Sequence, residues 1–124
     1  MSSSPAPVPG SALSPKIIEE SLLRLVDRLR SAPKARLTRI DERLGDRSLA
    51  SASYEFVCWC ASISEAARKE VGAGAERVPP VLHPLATGDQ VLVVGRELVS
   101  VLSELPSEVA VELDRRIKLL RDVA

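Results

Sequence analysis

Apolar side chains recur along much of this chain at steps of three and four, the period of an α-helix. Over about 15–31, Ile18, Leu22, Leu25, Val26 and Leu29 share one helical face, and Glu20, Arg24, Asp27 and Arg28 take the other. Ser14 is suited to cap this helix. Pro15 suits its first position, where a missing N–H leaves nothing unpaired. A short second helix is expected over about 33–45, opened by Pro33, closed near Gly45 and seamed by Leu37, Ile40 and Leu44. A third, over about 47–71, stops at Gly72 and carries a continuous stripe of Leu49, Ala52, Phe56, Cys60, Ile63, Ala67 and Val71.

The fourth helix is expected over about 88–105, with Val91, Val94, Leu98, Val101, Leu102 and Leu105 continuing one face. Thr87, followed three residues later by Gln90, reads as a capping box at its start. Within it VLVVG (91–95) is short, apolar and β-branched enough to suit a strand. A lone strand has nothing to pair with, and the helical face runs through it, so helix is the better reading. The fifth helix, about 107–123, enters through Pro106 and Ser107 with a narrow seam of Val109, Leu113, Ile117 and Leu120.

Two stretches break the pattern. Residues 1–13, MSSSPAPVPGSAL, form a Ser/Pro-rich tail with too little apolar bulk to offset ordering, and disorder is expected there. Residues 72–88, GAGAERVPPVLHPLATG, are too rich in glycine and proline to be helical throughout. A connection of that length is usually functional or a linker. The pattern therefore predicts an all-α fold. It is a helical bundle of about five helices, four long and one short, in a single domain over 14–124 behind the tail.

Composition narrows the core and the partners. The chain has 124 residues, enough for one core that buries roughly two-thirds of the unfolded surface. Tyr54, Phe56 and Trp59 are its only aromatic residues, so Leu, Val, Ile and Ala must fill the interior. Seventeen basic and seventeen acidic residues cancel, which disfavours a generally basic nucleic-acid binder. The balance is uneven: nine basic and six acidic residues over 15–47 give +3, and the remaining eight and eleven give −3. No apolar run approaches the roughly 18 residues of a membrane span. The first residues lack the basic start and apolar stretch of a secretory signal, so a cytoplasmic protein without a membrane role is expected. Thirteen arginines against four lysines, with abundant Ala and Val, match the usage of a GC-rich bacterial genome.

Few residues of the chain are candidates for chemistry. His83, between Leu82 and Pro84, has no carboxylate near it in sequence and reads as a loop histidine. Cys58 and Cys60, two apart on a helix, project about 200° apart, so they can neither bridge nor share a metal. Cys60 lies on the apolar stripe. Cys58 lies nearer the polar face and reads as a free thiol. GAGAER (72–77) follows a helix where a dinucleotide loop requires a strand, and Arg77 stands in place of the third glycine. No catalytic site, metal site or cofactor is expected, and the chain does not read as an enzyme. A catalytic role for His83 or Cys58 would require a pocket that supplies a polar partner.

Two surfaces remain. On a continuous helix, Arg36, Arg39, Arg43 and Arg47 form a stripe within roughly 60° of arc that could track phosphates, supplemented by Lys34. The structural alternative is a solvated face whose arginine stems flank the apolar seam. On the third helix a second apolar row, Ala50, Tyr54, Val57 and Ala61, lies beside the main stripe, with Trp59 on the far shoulder. Either this helix is the hub of the fold, or the row is an interface for a partner or a second copy. The leading expectation is a non-catalytic interaction protein: an adaptor, regulator or assembly subunit that docks or oligomerises. The alternative is a nucleic-acid-associated regulator using the arginine stripe.

Overall fold

A computed structural model describes residues 14–67 and 78–124. The expected disorder of the tail 1–13 and the readings of Val71 and of GAGAER (72–77) fall outside these residues. Five helices pack together: α1 (Pro15–Ser31), α2 (Lys34–Thr38), α3 (Leu49–Ala67), α4 (Thr87–Val101) and α5 (Ser107–Val123). The fold is all-α, four long helices and one short, with one two-residue β-ladder.

Helix α1 begins as its sequence dictates. Ser14 Oγ accepts the Ile17 N–H at 3.4 Å, and Pro15 takes the first position. Its buried face is Ile18, Leu22, Leu25, Val26 and Leu29. Each such side chain contributes about 1.5–3 kcal/mol of apolar transfer on full burial. Helix α3 starts after Ser48, whose hydroxyl accepts the Ser51 N–H at 3.0 Å. VLVVG lies inside α4, and α5 runs over the residues its seam predicts.

The expected second helix is a correction. It spans only Lys34–Thr38, because Arg39 turns extended (φ −76°, ψ 138°). Ile40 and Asp41 (β1) then pair antiparallel with Ser48 and Arg47 (β2). Asp41 Oδ1 accepts the Arg43 N–H at 2.8 Å, a local bond that competes with helix formation. Gly45 (φ 70°) and Asp46 (φ 61°) close the loop in the left-handed region, which glycine and aspartate tolerate better than most residues. Leu37 and Leu44 still reach the core, but Ile40 is left exposed.

The capping box is also corrected. Thr87 is already helical, and its hydroxyl donates to the Pro84 carbonyl at 2.6 Å. The chain enters α4 through a 3-10 turn at Pro84–Ala86, capped by His83, whose Nδ1 accepts the Leu85 N–H at 3.1 Å.

Cross-helix bonds fix the direction of each helix. Arg30 pairs with Asp89 at 2.7 Å, and Arg96 with Glu19 at 3.1 Å, so α1 and α4 are antiparallel. The Arg28 guanidinium donates to the Arg121 carbonyl at 3.2 Å, near the C-terminal ends of both α1 and α5, so these two are parallel. Arg116 lies 4.5 Å from the Trp59 ring centre, and Leu49 and Val123 line a common cleft, which sets α3 antiparallel to α5. Helices α3 and α4 therefore run in the same direction. Both α4 and α5 pack against α1 and against α3, and the core lies between them.

Close contact between α1 and α4 depends on two glycines seven residues apart. A Cβ on Gly95 would stand 2.9 Å from both Leu22 methyls. A Cβ on Gly88 would stand 2.9 Å from Arg30 Cγ and 3.3 Å from the Val26 carbonyl oxygen. On α3 the buried face includes the small residues Ser53, Cys60 and Ser64. The hydroxyls of Ser53 and Ser64 are buried without a hydrogen-bond partner. Their use in the interior is one of size.

Candidate interaction surface

Four exposed apolar side chains of the described residues, Val78, Val81, Leu82 and Leu85, lie just before α4, while others such as Ile40 and Val111 lie elsewhere. Residues 78–83 form no helix or strand and cross from α3 toward the start of α4. Side chains from both helices hold their backbone. The Tyr54 hydroxyl donates to the Pro79 carbonyl at 2.6 Å, and Gln90 Nε2 donates to the Pro80 carbonyl at 2.8 Å. Pro79 and Pro80 fix φ at their own positions, and these two and Pro84 restrict the residue before each, so this strap has little conformational entropy to lose.

The strap's side chains face solvent. Val78 is 73 % exposed, Val81 77 %, Leu82 43 % and Leu85 57 %. Val93, 65 % exposed, lies one helical turn beyond Gln90 on α4, with Asp89 and Arg96 on either side of it along that face. No lysine, arginine, aspartate or glutamate occurs between Val78 and Gly88. A single exposed valine is ordinary, whereas several exposed apolar side chains on an anchored backbone are the kind of surface that docks.

Comparison with known proteins finds no matching family model, no similar curated protein and no similar solved structure.

The second row of α3 is only partly at the surface. Val57 is 1 % exposed and belongs to the core. Ala50, Tyr54 and Ala61 are half-buried, and Tyr54 is the anchor of the strap. Its hydroxyl is held above the usual phenol range by a hydrogen bond with Cys58 and by burial. Trp59 is half-buried beneath the Arg116 guanidinium and beside Phe56, with ring centres 6.5 Å apart. These positions make α3 a hub at Val57 and a support for the strap at Tyr54.

No continuous helix aligns the arginines, because the backbone from Arg39 to Arg47 leaves the α-helix. The Arg36 guanidinium donates to the backbone oxygens of Val123 and Ala124 at 3.3 and 3.1 Å, against the negative end of α5. Arg43 forks onto Asp41 at 2.8 and 3.1 Å and holds that carboxyl below its ordinary range. Arg47 pairs with Glu55 and donates to the Leu44 carbonyl. Arg39 lies near Asp41, with which it interacts electrostatically. Arg36, Arg39, Asp41, Leu49 and Val123 line a cleft of about 10 Å³, room for a single water.

The remaining candidates are dispersed. His83 is exposed and serves as a cap. Cys60 is buried, and that burial pushes its thiol up to about 12. Cys58 is half-buried beside Tyr54. Among the described residues no group of His, Cys, Asp and Glu is arranged to hold a metal ion, and no helix is long and apolar enough to cross a membrane.

Proposed function

We propose that the chain is a non-catalytic helical interaction protein, an adaptor, regulator or assembly subunit, and that it docks through the strip Val78, Val81, Leu82, Leu85 and Val93. One observation carries this reading. The strap's carbonyls are tied inward by Tyr54 and Gln90, while its apolar side chains are presented outward. A segment serving only as a connection gains nothing from that arrangement, because exposed valines and leucines add no folding energy. A docking segment gains preorganisation, since the ordering cost is met before a partner arrives.

The test compares affinity capture from host cells by three forms of the full chain: wild type, Val81→Glu/Leu85→Glu and Arg39→Ala/Arg43→Ala. Captured protein and nucleic acid are quantified together. The expected result is protein capture that falls at least about tenfold in the strip variant and is unchanged in the arginine variant. Protein capture indifferent to the strip, or nucleic-acid capture lost with the arginines, would overturn the reading.

A further inference from the structure

We infer that the turn leading into α4 is a proton-operated latch, closed by neutral His83 and loosened by the imidazolium. Pro84 has no N–H, so Leu85 supplies the first donor of the Pro84–Ala86 turn. The N–H groups of Ala86 and Thr87 bond the carbonyls of His83 and Pro84. The Leu85 N–H instead bonds His83 Nδ1 at 3.1 Å. Ala86, which precedes α4, supplies no side-chain acceptor, so the side-chain cap of this entry is His83. An imidazole nitrogen accepts only while it carries no hydrogen, so the bond requires the neutral ring with its hydrogen on Nε2. Protonation places a hydrogen on Nδ1, opposite the Leu85 N–H, and turns the acceptor into a second donor.

The chain has one histidine, and histidine is the side chain whose charge ordinarily changes between about pH 5 and 8. Helix α2 packs on the turn and brings Lys34 and Arg36, and Arg36 is engaged by the Val123 and Ala124 carbonyls. Helix α4 brings Asp89 in its first turn, and Arg30 of α1 holds that carboxylate at 2.7 Å. Tyr54 of α3 bonds the Pro79 carbonyl at the other end of the strap. The charged neighbours are thus two cations and a carboxylate already paired, so the imidazolium gains no partner in exchange for the cap. Order in the turn is therefore highest above the titration range of the ring and is lost as pH falls through it. Leu85 is both the capped residue and an exposed apolar side chain, so the proton acts on that surface through the backbone.

Nuclear magnetic resonance of the nitrogen-labelled full chain tests this from about pH 8 to about pH 5, the range in which histidine titrates. At the upper end the ring nitrogens should show the hydrogen on Nε2 and a bare Nδ1. Leu85 amide exchange, divided by its intrinsic rate at each pH, should speed about three- to tenfold as the ring protonates, the size of one lost cap. His83→Asn puts a carbonyl oxygen where Nδ1 sits but cannot titrate, so it should keep Leu85 protected across the range. His83→Ala should leave Leu85 fast at every pH, with an unchanged far-UV circular dichroism spectrum. A wild-type ring with its hydrogen on Nδ1 at the upper end would overturn the inference. So would Leu85 protection that ignores the titration, or that falls equally in His83→Asn. The latch needs no partner, so its failure would leave the docking reading untouched.

Discussion

Tyr54, Val57, Cys58 and Cys60 lie within two turns of α3, and the structure gives each a different task. Tyr54 anchors the strap, Val57 fills the core, and Cys58 lies half-buried beside Tyr54. Cys60 is wholly buried, with its thiol pushed up to about 12 by desolvation. The thiolate is the reactive form, so Cys60 should be inert near neutral pH. Titration of the folded chain with an aromatic disulfide at pH 8 should release one equivalent from Cys58, and the second only on unfolding. Two equivalents released together from the native protein would contradict the burial of Cys60. Part of this was legible in sequence: the stripe put Cys60 inside and Cys58 nearer the surface. Helical period alone could not show that Val57 is interior, because a second apolar row has the same period whether its cover is another helix or a partner. The partner of Tyr54, a carbonyl 25 residues away, leaves no local trace.

At the scale of elements, α1, α4 and α5 were readable because caps, prolines and a sustained apolar face agree. The second helix was not. Three apolar residues over thirteen positions are a thin signal, and the Asp41 turn with left-handed Gly45 and Asp46 outweighs it. The spacing of Gly88 and Gly95 was present in the sequence, but only the neighbouring helix explains it. Seven residues return to nearly the same helical face, so both glycines meet α1. Gly95→Val should therefore destabilise the fold by roughly 1–3 kcal/mol, since its added bulk forces the fully buried Leu22 side chain to move. Chemical denaturation is the direct check. A variant as stable as wild type would mean that α1 and α4 are not as closely packed as described.

At the scale of the molecule, the connection after α3 follows from topology. Antiparallel helices are joined by short turns, as α4 and α5 are through Leu102–Pro106. Helices α3 and α4 run the same way, so the residues joining them have to cover a distance of the order of the length of α3, whose 19 residues span about 28 Å. The sequence marked that long connection by its prolines and glycines, but its necessity depends on helix directions that no local pattern encodes. Its final stretch is fastened over the ends of α3 and α4 and turns its apolar side chains outward, and the proposed function rests on that stretch.

The most direct test is site-specific photo-crosslinking in living cells, with a photoreactive phenylalanine analogue at position 81, 57 or 39 of the full chain. Light should produce discrete protein adducts from position 81 on the strip, and none from position 57 in the core or from position 39 beside Asp41. Adducts from position 57 or nucleic-acid adducts from position 39, with position 81 silent, would contradict the claim that this chain works by docking through its proline strap.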